Sequence, residues 1–499
     1  MRVSKSTFDR GLKRLISRNE LTRKVLHHLA EIGVSKPLNC PAAGRSYWTL
    51  DAAVVATGRA LIVRGGCIEH QRRNDQPPSW SNPDKTCTTG VVRSIIVPLV
   101  RLSRYERVWL SATAVPQREP YGFSTNIIPS PAGVFVSKMG FRRHTCAMVS
   151  RFAKSDDLKG LTQLFTTLVP FVLLWWAAVR CAGVSPWLPV APLLLIILFI
   201  VRAFGLMHEC GHGSLFQSPG LNRAVGFLLG VLAGMPQYVW AQHHNYHHVH
   251  NGNWDRYRGP YTTLSVDEYA ALSGARQRMY RSKCSVVAAP LAGFIYLIFN
   301  PRLTWLKGSA GLLIHTVRRK LAEPRLSLRT HAATYQSRYW KSPREYRHML
   351  WNNLVLLAVW ALMCRVCGAA PFFSIYLLSV SIAGGVGIVL FTVQHNFEHA
   401  YASDGKHWDR DAGAIQGTSF LVLPGWLNWF TVNIGYHHIH HLSASIPNYR
   451  LAECHEEYQH LFSGVTRVKL HEVLRALTYI LWDKRAQQII SVAEYRRRS

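Results

Sequence analysis

Residues 161–179 read LTQLFTTLVPFVLLWWAAV, nineteen positions without a charge. No other stretch narrows the fold as far. An α-helix needs roughly 20 apolar residues to cross a bilayer, and within lipid only helices and closed barrels satisfy their own backbone. Residues 186–201, PWLPVAPLLLIILFIV, repeat the pattern after a short link, and apolar character continues past Arg202 to Met207. So short a link holds no domain, so the two runs predict a hairpin. Residues 350–363 and 371–394 predict a second hairpin, joined by Cys364 to Ala370. The expected class is all-α integral membrane, with two transmembrane hairpins and therefore four spans.

Loop charges orient the hairpins. One link holds Arg180 alone and the other Arg365 alone, while nearly all other Lys and Arg lie on the opposite side with both termini. Basic loops stay cytoplasmic. The expected protein is multi-pass, with its N- and C-termini in the cytoplasm. Residues 221–240, 285–299 and 415–430 are moderately apolar and read as interfacial helices; 285–299 is short for a span.

The net charge of +31, from 58 Lys+Arg against 27 Asp+Glu, sits in a chain that is 48% apolar. Greasy and basic blocks must therefore be segregated. That pattern suits loops facing anionic lipid, and no nucleic-acid partner is expected. Residues 1–138 are rich in Pro, Ser and Arg and hold no run long enough to span. They read as a disordered or spurious extension, with a helical pattern at 11–33 and a natural start near Met139 or Met148. Residues 139–499 form the expected functional domain.

Most of the 24 histidines fall in two windows, both after the second run of a hairpin. His208 and His212 stand four apart in HECGH. His244, His247 and His248 form HxxHH, and His437, His440 and His441 form it again; His395 follows the second hairpin. Spacings of three and four place imidazoles on one helical face, so each box can offer two or three nitrogens to one point. A tetrahedral zinc site takes three or four ligands, so nine imidazoles suit two ions of higher coordination number. Imidazole binds iron, zinc, copper and nickel; redox chemistry beside a membrane favours iron. His243, His250 and His438 lie off the spacing, His407 reads as a loop residue, and His399 is a weak candidate. Glu209, Asp255 and Glu398 stand near the boxes as candidate acceptors for ring N–H groups. Cys364-Arg-Val-Cys367 is a lone CxxC with little weight. Hairpin, box, interfacial segment and box recur over 161–250 and 350–441, as two half-sites converging on one centre.

HECGH also matches the HExxH of zinc proteases, in which Glu209 would be the base. That design has no use for two HxxHH boxes, and Gly211 and Gly213 weaken a regular helix there. A histidine-rich metal transporter would place its ligands at mid-span, whereas these lie just beyond the spans.

HECGHGSLFQS, HHNYHHVHNGNWDR, VQHNFEHAY and LPGWLNWFTVNIGYHHIHHLSASIPNYRLAECHEEY resemble the membrane fatty acid desaturase superfamily, in particular the bacterial and plastid-type acyl-lipid group of Δ12/ω6 type. The resemblance covers about residues 148–470. It implies O2-dependent introduction of a cis double bond into a fatty acyl chain at a non-haem di-iron centre. It implies His208, His212, His244, His247, His248, His395, His437, His440 and His441 as ligands, with no catalytic residue beyond the metal centre. The substrate would be a membrane lipid or acyl-CoA, and the electron donor ferredoxin or cytochrome b5. A hydroxylase or ketolase of the same superfamily, acting on carotenoid, alkane or sphingolipid, is the alternative. The group carries Asp where this chain has Glu209, and an acidic residue where His399 stands.

Overall fold

A computed structural model describes residues 138–498, except 186, 260 and 261, and three strands nearer the N-terminus. The chain divides into two compact units, Met1–Phe123 and Ser124–Ser499. In the first, β1 (Leu38–Cys40), β2 (Arg45–Asp51) and β3 (Arg64–Gln71) form an antiparallel sheet in that order. The helical pattern at 11–33 lies outside the described residues, as does most of the expected extension over 1–138.

The second unit is mainly helical. Helix α1 (Lys138–Phe152) precedes α2 (Asp157–Ala182) and α3 (Val190–His212). Asp156 caps α2, its carboxylate accepting from the Leu158 and Lys159 amides. Next come α4 (Pro219–Leu232) and α5 (Gln237–His250), bent 102° to one another. After β4 (Leu264–Ser265) runs α6 (Val286–Ala322), a continuous helix that includes a π-helical stretch over Ile295–Phe299. The second long hairpin is α7 (Pro343–Cys367) and α8 (Ala369–His395), turning at Gly368 with φ +83°. Ser342 caps α7 and Pro343 fills its first turn, where no amide is missed. The C-terminal region holds β5 (Phe420–Val422), α9 (Gly425–Phe430), α10 (His437–Leu442) and α11 (Asn448–Glu457), followed by β6 (Arg467–Lys469), β7 (Tyr479–Asp483) and β8 (Gln488–Ser491). β5 pairs in parallel with β6, and β4, β7 and β8 form a second small sheet.

Among the described residues, α2, α3, α6, α7 and α8 are long and apolar enough to cross a membrane, with α4 and α5 as one bent pair. Phe165, Val172 and Trp176 stand exposed on α2, as lipid-facing side chains do. This is a membrane protein. The bundle core joins both hairpins through Ile200, Leu206, Met207, Phe372, Tyr376 and Val380. A separate core holds Phe141, Met148 and Phe152 of α1 against Ile439, Ile446 and Leu451.

Three segments differ from expectation. Residues 285–299 do not end as a short helix, because Asn300 to Ala322 continue it without a break. Residues 221–240 are not one helix: Gly234, at φ +75°, and Pro236 break it. Residues 415–430 hold a strand and a short helix, since Pro424 ends the extended segment and opens α9.

Candidate metal centre

His212 ends α3 and His208 stands one turn before it. The chain leaves the helix at once, because Gly213 adopts φ +73° and its amide bonds back to Cys210 and Glu209 carbonyls. Gly211 does not interrupt the helix. It lets α5 approach, since a Cβ there would meet Ala241 Cβ at 3.2 Å. Glycine's weak helix propensity is overridden by this close packing. His244, His247 and His248 project from α5, His395 ends α8, and His437, His440 and His441 lie on the short α10.

All nine histidines converge, but on two points. One group holds His208, His212, His244, His248 and His440; the other holds His247, His395, His437 and His441. Within each, one nitrogen per ring lies within 4.8 Å of all the others. The first box, His208 and His212, serves one point, whereas each HxxHH box is split between the two. Residues four apart are about 40° apart on a helix and residues three apart about 60° apart on the other side. His244 and His248 thus share one target while His247 faces the other. In α10, His437 and His441 pair and His440 crosses over. Each half of the internal repeat lends one imidazole to the other half's group, so the centre has two adjacent ligand groups.

Nitrogens approach closely: His208 Nε2 to His244 Nε2 is 2.9 Å, His248 Nε2 to His244 Nε2 is 3.0 Å, and His437 Nε2 to His395 Nε2 is 2.9 Å. His212 Nε2 and both ring nitrogens of His247, His440 and His441 are buried without a hydrogen-bond partner. Buried polar atoms are ordinarily bonded, so such a cluster of bare lone pairs has the chemistry of a metal site. Burial, reinforced by neighbouring imidazoles, pushes His437, His440 and His441 well below the ordinary imidazole value. The rings are held neutral, as metal ligation requires.

Two contacts orient the rings. His208 Nδ1 lies 3.1 Å from Glu209 Oε1, and His395 Nδ1 lies 3.2 Å from the Gly417 carbonyl. Each acceptor holds its Nδ1 proton and turns Nε2 inward. Glu209 is almost fully buried and also accepts from Ser214 Oγ and the Asn448 amide. So engaged, it is poorly placed to be the base of a protease. Of the three candidate acceptors only Glu209 touches a box histidine. Asp255 accepts from the Gly405 amide, and Glu398 pairs with Arg475.

His399 is exposed, at φ +58°, beside Glu494 at 3.5 Å. His407 bonds Asp404. Both lie outside the two groups, as do His243 and His250. His438 is buried with its Nε2 3.1 Å from His455 Nδ1, against Phe420 and Phe462. Sequence reasoning passed over His455, Phe391 and Trp240. His455 is a single histidine with no box spacing. Phe391 touches His247 and His395, and Trp240 stacks on His244 at 4.5 Å. One-turn offsets from His395 and His244 were their only signal.

The model of the family described as fatty acid desaturase matches residues 185–468. A fatty acid desaturase of Bacillus subtilis is 33% identical over 344 residues, covering 69% of this chain and 88% of that protein. A chloroplastic omega-3 fatty acid desaturase of Sesamum indicum is 27% identical, covering 51% of each chain. A chloroplastic, temperature-sensitive sn-2 acyl-lipid omega-3 desaturase (ferredoxin) of Arabidopsis thaliana is 26% identical, over 51% of this chain and 52% of that one. The family match runs from just before α3 through all the histidine boxes, and the chain belongs to the fatty acid desaturase family, oxidoreductases that introduce double bonds into fatty acyl chains.

Proposed function

We propose that the nine histidines hold two irons, one per group, and that the protein places a cis double bond in a membrane-lipid or CoA-linked acyl chain. The observation that carries this is the division of buried, unpartnered imidazoles into two adjacent groups. Unactivated methylenes yield no hydrogen to side chains alone. Iron, when bound, supplies the redox chemistry by which two C–H hydrogens, two donor electrons and two protons reduce O2 to two waters. The chain's own part is positional. Glu209 and Gly417 fix the tautomers of His208 and His395, and burial keeps the rings neutral and excludes water. Phe391 and Trp240 give the centre apolar walls against which a methylene can lie.

Topology follows from the same residues. α3 and α8 both end in the centre, so both hairpins open to one side, and the loop charges make that side cytoplasmic. This favours four spans. From Gly368 to His395 is about 40 Å of helix, against a hydrocarbon layer of roughly 30 Å. The centre would then stand about 10 Å outside the lipid, within reach of ferredoxin or cytochrome b5. One relative's name carries ferredoxin.

The test is expression in a host without polyunsaturated lipids, with new double bonds located by mass spectrometry and metal measured on the purified chain. New cis double bonds and about two irons per chain are expected. Hydroxylated or keto products without new double bonds would favour the other oxygenases, and one zinc without iron would end the di-iron reading.

A further inference from the structure

By length and composition α6 passes as a span, yet its contacts run across the bundle. At Gly293 a Cβ would collide with the backbone of Ser381, Gly384 and Gly385 on α8. Further along, Arg302 donates from Nε to Asn353 Oδ1 at 2.7 Å and from Nη2 to Asn352 Oδ1 at 2.9 Å, both on α7. Gly384 and Asn352 stand equally far along the chain from the Gly368 link, one on each arm of the hairpin. They therefore lie at the same height. A helix parallel to the spans would have changed height by about 14 Å between Gly293 and Arg302. Instead α6 meets both arms at one level, about 24 Å from the link, close to where a roughly 30 Å hydrocarbon layer ends. Chain parity agrees, because α5 and α8 both reach the centre and one more crossing between them would separate the two.

The second half of α6 shows what covers it. One face packs inward, with Gly308 under Trp340 and Gly311 under Tyr335. The opposite face carries Leu306, Leu313, Val317 and Leu321, at helical spacing and 46–76% exposed. Exposed Lys307 and Arg318 border this stripe, and Arg325 and Arg329 follow it. From Arg276 to Arg347 the only acidic residues are Glu323 and Glu345. An apolar stripe with basic margins is the pattern of a helix lying in a membrane surface, where each basic side chain gains from anionic headgroups.

We propose that α6 is not a span but an in-plane arm on the histidine side, seated in the bilayer by its leucine and valine stripe and held by anionic phospholipid headgroups. This goes beyond the metal reading and stands or falls separately from it.

The test uses the full chain in vesicles, with a fluorescent amino acid at Leu306 or Leu321, both more than half exposed. Quenchers are placed at known depths on the lipid chains. Equal, shallow depths are expected at both positions. Depths differing by about 22 Å, the helix length between them, would make α6 a span and overturn the proposal. No quenching at either position would overturn it too, since a second copy or a protein partner would then cover the stripe. With the quencher on the headgroup, phosphatidylglycerol should quench the Leu321 probe severalfold more than phosphatidylcholine. The combined Lys307→Gln, Arg318→Gln, Arg325→Gln and Arg329→Gln variant should erase that preference. Equal quenching by both lipids in the unaltered chain would overturn the anionic part. A melting temperature matching the unaltered chain reports that each labelled chain has folded.

Discussion

His247 and His438 show how little separates a ligand from a support. Both are buried histidines in histidine-rich helices, yet one aims bare nitrogens at the centre and the other bonds His455. His247→Ala should take metal from about two per chain toward one and abolish product, because its group of four falls to three. His438→Ala should leave metal content close to normal and lower stability by about 1–3 kcal/mol, since it strands His455 in an apolar pocket. Metal analysis and thermal melts on matched preparations separate the two; equal metal loss in both would undo the assignment. Protonation gives a second check. Burial first, then Arg467, holds His455 down to about 4, and burial depresses His437, His440 and His441 as well. An unfolded imidazole titrates near 6.5, so below that value the unfolded chain binds more protons than the folded one. Stability and metal retention should therefore be full above about 6.5 and fall progressively toward about 4. Melting temperature and bound metal followed against pH would show it, and a loss on the alkaline side instead would contradict it.

Among elements, the α6–α8 crossing is the tightest backbone approach described here. Gly293, Gly384 and Gly385 let the two main chains touch. Gly293→Leu should force them apart and cost at least about 1–3 kcal/mol, the usual range for overpacking. Gly387→Ala, on α8, meets open space and should be neutral or slightly stabilising, as alanine favours a helix by about 1 kcal/mol over glycine. Comparing the two melts isolates the crossing from general helix effects. At this scale the sequence read partly true. The hairpins stood out because lipid demands long uncharged runs. The α4–α5 break and the full length of α6 did not, because Gly234, Pro236 and Pro301 look alike as letters. Pro236 helps to break a helix, whereas Pro301 sits inside one at a stretch where the neighbours supply the geometry.

For the molecule as a whole, we propose that the functional unit begins with α1. Phe141, Met148 and Phe152 are buried against the segment that carries the third box, and Arg142 pairs with Asp411 at 3.0 Å. A chain starting at Met139 should retain desaturase activity, which we propose because the spans and boxes all follow it. A chain starting at Met148 loses Phe141 and the ion pair, and should be destabilised by roughly 1.5–3 kcal/mol for the buried ring. Product formation and melting temperature of both, in membranes, check the difference. An inactive but inserted Met139 chain would give residues 1–138 a role of their own.

The family came from the resemblance of the box motifs. The membrane class and the nine convergent histidines were legible in the sequence, because each rests on a local rule: run length against bilayer thickness, and spacing against helical pitch. The division of those histidines into five and four was not. Spacing fixes angles around one helix axis, but the target of an imidazole depends on how four helices cross. The partners of Glu209, the role of His455 and the transverse course of α6 likewise depend on contacts between residues far apart in the chain. Only packing brings those together, and only the tertiary structure could decide them.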